Sequence, residues 1–108
     1  MRNMEKQAIE NTESYQGWSN YESWAVRLHW DNNEGDYKHM TEEAKNYKKA
    51  GKSISEFADY LKETAEEIQD IVIEGQGNEE QKSFMHDVGS LWRVNWYEIA
   101  ESYYNEVE

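Results

Sequence analysis

The sequence of 108 residues carries 23 acidic and 11 basic side chains, which gives a formal net charge of −12 at pH 7. Its length allows one domain core, and the absence of cysteine excludes a disulfide framework and thiolate metal sites. The negative charge opposes direct binding to nucleic acid or anionic membrane, and it favours a basic protein partner. Five Trp, eight Tyr and two Phe residues supply the apolar surface of a folded core.

The N-terminal part of the chain is predicted to be weakly ordered and shows no targeting signal. Residues 1–18 combine one short apolar cluster with a polar run, and M-R-N-M-E-K-Q-A-I-E lacks the apolar stretch of a signal peptide. No segment reaches the roughly 20 apolar residues that span a bilayer. We therefore expect a cytoplasmic protein whose helical domain occupies residues 19–108.

The first helix is predicted to begin at Ser19. Ser19 and Glu22 have the spacing of a capping box, in which each side chain accepts a backbone N–H at the helix start. Apolar residues at helical spacing predict a buried face, and two more lie on the opposite side, so this helix is expected to lie between others. The predicted face consists of Tyr21, Trp24, Ala25 and Leu28, and the opposite side of Val26 and Trp30.

Four further helices follow from apolar periodicity and capping residues, at about 36–50, 53–74, 78–91 and 95–107. Ser53 and Glu56 form a second capping box at the start of the third helix. Gly51 and Gly75 are predicted to end the second and third helices. Asn95 and Glu98, a box-like N-x-x-E pair, are predicted to begin the fifth helix. The pattern predicts an all-α fold, a compact single domain of four to five short helices.

Acidic side chains line the side of the third helix opposite its apolar face, within a sector about 100° wide. We call these seven residues the acidic row: Glu56, Asp59, Glu63, Glu66, Glu67, Asp70 and Glu74. Four like-charged pairs in the row have i,i+4 spacing, and each such pair costs a few tenths of a kcal/mol. Glu98 and Glu101 repeat the arrangement on the outer side of the fifth helix.

The acidic row has three interpretations. It is a solvated or halophilic surface, an imitation of DNA phosphates, or a surface for another basic partner. Duplex DNA carries about one charge per 1.7 Å of axis, whereas an acid every three or four helical residues gives one per about 5 Å. One helix therefore provides a single row, and two acidic helices side by side provide two. Such a surface would enter the basic groove of a nucleic-acid enzyme and compete with its substrate.

No motif for a metal, a cofactor or catalysis is evident. The run D-N-N-E-G-D departs from a calcium-binding loop, because its glycine stands at position five and not six. The three histidines lack the spacing of zinc ligands, and P-loop, dinucleotide and nucleophile-elbow motifs are absent. We expect no cofactor and no catalytic residue; a metal-dependent enzyme is the lowest-ranked alternative. Asp31, Glu34 and Asp36 form a second candidate surface at the turn after the first helix.

The aromatic residues around Trp24 are predicted to lie in the core. Stacking on single-stranded bases is the alternative, but it requires a basic groove beside the rings. Only Arg27 and Lys38 supply positive charge nearby.

Three motifs at the two ends of the chain resemble a family of small phage- and plasmid-borne proteins. They are N-Y-E-S-W at 20–24, D-N-N-E-G-D-Y at 31–37 and V-N-W-Y-E-I-A at 94–100. The family carries N-Y-E-[ST]-W, then D-N-x-G with a tyrosine, and closes with W-x-E-I-A. This chain has an extra residue before the glycine, and residues 45–90 match none of these motifs.

The resemblance implies a mobile-element setting and a place in the cytoplasm of a host cell. In general character the chain is also similar to acidic antirestriction and anti-CRISPR proteins that imitate DNA. The expected function is inhibition of a host defence nuclease, either a CRISPR effector or a restriction enzyme, without catalysis. The alternative is a small phage regulatory protein that binds a basic host partner without DNA mimicry.

Overall fold

The computed structural model describes residues 17–107, and these residues form α-helices without a β-strand. The predicted all-α fold is confirmed. The five α-helices and one 3₁₀ turn are α1 (Tyr21–Asn32), α2 (Glu34–Lys49), α3 (Ile54–Ile73), α4 (Glu79–Val88), the turn Leu91–Arg93, and α5 (Trp96–Glu106). The predicted weak order of the N-terminal segment concerns mainly residues 1–16, which lie outside the described residues. Trp18, at the end of that segment, packs against the core.

Each α-helix begins at a side-chain cap, and four of the five caps are asparagines. Each cap accepts the backbone N–H three residues further on, which satisfies one of the free amides at a helix start. The caps are Asn20, Asn33, Ser53, Asn78 and Asn95. The predicted box between Ser53 and Glu56 is confirmed in both directions.

The predicted capping box at Ser19 is wrong. Asn20 caps α1 instead and accepts the amide of Ser23 at 2.9 Å. Ser19 is engaged elsewhere, because its amide and hydroxyl both donate to the carboxylate of Glu98. Glu98 therefore does not complete the box of α5, although its own amide donates to Asn95 at 3.1 Å.

Glycines end α2 and α3 as predicted. Gly51 and Gly75 have φ of 78° and 79°, a left-handed conformation that glycine adopts without steric cost. The amide after each glycine donates to a carbonyl five residues back, at 3.0 Å in both cases, which closes a Schellman motif. The predicted fourth helix is too long: α4 stops at Val88, because Gly89 also has positive φ, and the 3₁₀ turn follows.

The core is centred on α3 and α5, which form the most extensive helix pair. Phe57 of α3 is fully buried, and its ring contacts four tyrosine rings at centroid distances of 5.2–6.3 Å. Aromatic pairs at such distances stabilise a core by about 0.5–1.5 kcal/mol each beyond their buried area. The tyrosines are Tyr47, Tyr60, Tyr103 and Tyr104.

Helix α1 buries only part of the predicted face: Ala25 is buried, but Tyr21 and Leu28 are not. Tyr21 and Leu28 are 39% and 38% exposed, and Trp24 is half-buried against the core. Val26 and Trp30 are buried as predicted, with the Trp30 ring stacked 5.8 Å from Phe84 of α4. The polar residues of the buried face are Ser23 and Arg27. Their burial is possible because groups before and on α5 satisfy their hydrogen bonds.

The side chain of Arg27 joins α1 to α5. Its Nε donates to Asp31 at 2.8 Å, and its two terminal nitrogens donate to Ser102 and Glu106 at 2.6 Å each. The guanidinium carbon lies 3.8 Å from the ring centroid of Tyr103. Arg27 is thus part of the core and is not free to form a basic groove beside the aromatic residues.

The hydroxyl of Tyr103 is buried and has no hydrogen-bond partner among residues 17–107. We expect Tyr103→Phe to raise the free energy of unfolding by about 1 kcal/mol, because it removes a polar group that folding strips of water. Urea denaturation at pH 7 measures this change. Tyr104→Phe is the matched control, since the Tyr104 hydroxyl donates to the Lys52 carbonyl at 3.1 Å. The control should lose about 1 kcal/mol, and an equal loss in both variants would contradict the assignment.

Candidate acidic interaction surface

The acidic row lies on the outer side of α3, as predicted, and all seven of its members are exposed. The inner side of the same helix carries the buried residues Phe57, Ala58, Leu61 and Ala65. The helical rise places Glu56 and Glu74 about 27 Å apart along the axis, so successive charges are about 4.5 Å apart on average. The row is therefore a linear array of carboxylates on a rigid element.

The central carboxylates of the row form no ion pair with a cation of the described residues. Within residues 17–107, no cation forms an ion pair with Asp59, Glu63, Glu66, Glu67 or Asp70. Other carboxylates do pair within the fold: Arg27 holds Asp31 and Glu106, His29 contacts Asp87, and Arg93 contacts Glu22. The negative charge of α3 thus remains available to an external cation.

The two ends of the row differ from its centre. Glu56 accepts the amide of Ser53 at 2.8 Å, and this backbone hydrogen bond lowers the pKa of Glu56. Glu74 is the C-cap of α3, where the helix dipole opposes a negative charge, and no basic residue occupies the last turn. Glu56 therefore stabilises the start of α3, whereas Glu74 places a negative charge at the negative end of the helix dipole.

A further carboxylate, Glu43, lies on α2 one turn before Tyr47, whose ring contacts that of Tyr60 on α3 at 5.5 Å. Burial raises the pKa of Tyr60, and the charges of Glu43 and Glu67 raise it further. Burial also raises the pKa of Tyr47, again with Glu43 and with Glu63. Glu43 thus shares an electrostatic environment with the acidic row. Sequence periodicity did not identify Glu43, although its place one turn before Tyr47 on α2 was a possible signal.

Helix α5 contributes fewer exposed carboxylates to the acidic surface than predicted. Glu98 is half-buried, and its carboxylate accepts the Ser19 amide at 3.1 Å and the Ser19 hydroxyl at 2.9 Å. Glu98 thus binds the segment that precedes α1, and its carboxylate is not free on the outer side of α5. Glu101 is exposed, as predicted.

The second candidate surface does not form one patch. Asp31 turns toward Arg27 on the side of α5, whereas Asp36 lines a cleft of about 260 Å³ that includes Glu80 of α4. Burial raises the pKa of Asp36, and the nearby Glu80 raises it further. Glu34 is exposed in the first turn of α2, where its charge suits the helix dipole.

The run D-N-N-E-G-D forms the junction between two helices. Asn33 accepts the amide of Asp36 at 2.9 Å as the cap of α2, and its own amide group donates to Glu80. In the described part of the chain, no group of three or more His, Asp or Glu side chains is placed to hold a metal ion. The same part contains no helix long and apolar enough to cross a membrane.

Fold and surface together define a small acidic all-α protein whose longest described helix presents a row of exposed carboxylates, the central five of which form no ion pair within residues 17–107. The chain belongs to a family of unknown function (DUF7249), whose model matches residues 11–108. No curated protein and no solved structure matches the chain.

Proposed function

We propose that this protein inhibits a host defence nuclease, a CRISPR effector or a restriction enzyme, by occupying its DNA-binding surface as a DNA mimic. The observation that supports this function is the set of exposed carboxylates on α3 that form no ion pair within the described residues. The protein acts without catalysis or a cofactor, through a basic protein partner. Its place of action is the cytoplasm of the host cell.

The spacing of the acidic row suits one strand of a duplex. A DNA strand carries one charge per about 3.4 Å of axis, and the row carries one per about 4.5 Å. Glu43 adds a negative charge on α2, one turn before the Tyr47 ring that contacts α3. A nuclease groove lined with Lys and Arg side chains binds the phosphates of DNA. The acidic row would present to that groove a linear charge density comparable to that of one DNA strand, on a protein surface that the nuclease does not cleave.

The alternative is a small regulatory phage protein that binds a basic host partner without DNA mimicry. The exposed apolar side chains of Ile73 and Trp92, 74% and 81% accessible, favour this alternative, because imitation of phosphates does not require them. The two functions differ in one measurable respect. A mimic excludes DNA from its target, whereas a partner that binds elsewhere does not.

The test is inhibition of purified CRISPR effectors and restriction enzymes, with DNA binding by each nuclease as the readout. We expect the inhibition constant of the native protein to rise at least about tenfold between 50 and 200 mM salt, because exposed charges are screened. Excess duplex DNA should displace the protein. Binding that persists in saturating DNA would contradict mimicry and favour the alternative, and a lack of inhibition across the panel would contradict the nuclease as target.

A further inference from the structure

An open groove of about 640 Å³ runs beside the acidic row, between α3 and the connection from α4 to α5. Glu66, a member of the row, lies on one wall with Lys62 and Gln69, and Trp92 and Trp96 lie on the other. Trp92 is the most exposed of the large apolar side chains in the described residues. The groove therefore contains both an aromatic ring and a carboxylate that forms no ion pair within residues 17–107.

Ile73 extends the same side of α3. It lies four residues after Gln69 and seven after Glu66, so the three side chains share one face of the helix. Ile73 and Trp92 are the two most exposed large apolar residues of the described chain. Both thus border one edge of the acidic row, and an exposed aromatic anchor beside charges is typical of protein interfaces.

We propose, on the basis of the function proposed above, that this groove binds an arginine side chain of the basic partner. The guanidinium group stacks on the ring of Trp92 and donates to the carboxylate of Glu66. A guanidinium is planar and weakly hydrated, so it suits both contacts, whereas a lysine ammonium is compact and strongly hydrated. The charge complementarity comes from the acidic row, and the preference for arginine comes from Trp92.

Two cations near the groove, Arg93 and Lys62, bear on this assignment. The guanidinium carbon of Arg93 lies 5.3 Å from the Trp92 ring centroid, and this is the ring contact that Trp92 makes within residues 17–107. A guanidinium thus approaches this ring within the chain itself, and its positive charge opposes an incoming cation. Lys62 opposes an incoming cation, but Asp59, Glu63 and Glu66 lie three, one and four residues from it and outnumber it. Lys62→Gln is therefore expected to strengthen binding of a cationic peptide.

The test uses two labelled peptides, nona-arginine and nona-lysine, and fluorescence anisotropy at low salt. The native protein should bind nona-arginine about two- to fivefold more tightly, the ratio expected for an exposed cation–π contact. Trp92→Ala should remove this preference and retain the affinity for nona-lysine. Tyr21→Ala, which changes a partly exposed aromatic residue on α1, is the matched control and should keep the preference. Circular dichroism confirms that each variant is folded.

The outcomes separate the groove from the acidic row. An unchanged arginine preference in Trp92→Ala, or equal affinities of the native protein for the two peptides, would overturn the arginine site and leave the row untouched. A variant in which Glu63, Glu66, Glu67 and Asp70 are all replaced by lysine should lose affinity for both peptides. If that variant kept its affinity for nona-lysine, the row itself would not bind cations and the proposed function would fail.

Discussion

Replacement of Glu63, Glu66, Glu67 and Asp70 together by lysine is expected to abolish inhibition of the target nuclease and to leave the fold intact. Four reversals of two charge units each change the net charge from −12 to −4. All four residues are exposed and have no ion pair or hydrogen bond with another side chain in the described chain, so no packed contact is lost. Like charges brought together at an interface cost several kcal/mol, so the inhibition constant should rise at least about a hundredfold.

Local electrostatics within α3 also favour the folding of this variant. The i,i+4 pairs 59–63 and 70–74 become opposite in sign, 63–67 and 66–70 remain alike, and only 62–66 changes from opposite to alike. No single carboxylate is decisive in an extended row, and a charge at its rim alters mainly the association rate. Asp59→Ala alone should therefore change inhibition little. Circular dichroism and urea denaturation establish that the quadruple variant is folded before its inhibition is measured.

A second quadruple variant separates the acidic row from net charge. Reversal of four exposed acids on other helices gives the same change from −12 to −4: Glu34, Glu42, Glu79 and Glu101. This control should retain most of the inhibition. Full inhibition by the folded row variant would show that α3 is only a solvated face. Loss of inhibition in the control alone would show that the inhibitory surface lies on α2, α4 or α5 and not on α3.

Features that depend on a few neighbouring residues could be predicted from the sequence. The box of Ser53 and Glu56 and the glycine stops at Gly51 and Gly75 each involve contacts within six positions. Their chemistry is local, so a short run of sequence specifies it. The start of α1 was not predictable in this way, because the choice between two adjacent caps depends on Glu98, which lies 79 positions from Ser19.

The buried face of α1 also depends on distant residues and could not be predicted from local sequence. Hydropathy favours burial of Tyr21 and Leu28 over Ser23 and Arg27, but the structure does the reverse. A polar side chain is buried at low cost only where partners exist, and these partners come from the distant segment 95–106. A pattern within one helix contains no information about them.

One part of the candidate site could be predicted from the sequence and another part could not. The exposure of the acidic row follows from its place opposite Phe57 and Leu61, so helical periodicity is sufficient to predict it. The exposure of Trp92 is not predictable in this way, because it depends on how the 3₁₀ turn passes α3. A tryptophan in a sequence normally predicts core, and only the tertiary arrangement places this one at the surface.

Removal of the Arg27 side chain is expected to have the largest effect on stability of any single polar substitution. Burial alone lowers the pKa of Arg27, but the hydrogen bonds to Asp31 and Glu106 outweigh it, and the pKa lies above its usual value. The guanidinium also packs on the buried Tyr103 ring. Arg27→Ala should lower the free energy of unfolding by about 2–4 kcal/mol, below the full cost of a broken buried pair because both carboxylates are partly exposed.

Arg27→Lys distinguishes geometry from charge. Three separate nitrogens of Arg27 each hold one partner, and a lysine ammonium cannot reach all three at once or stack as a plane on Tyr103. The lysine variant should therefore lose more than half of the stability that the alanine variant loses, although it keeps the charge. Arg93→Ala is the control: Arg93 is half exposed, its contact with Glu22 is 3.4 Å long, and its loss should cost at most about 1 kcal/mol. Urea denaturation of the three variants measures these differences, and an alanine variant of Arg27 as stable as that of Arg93 would show that α1 and α5 are held together by apolar packing alone.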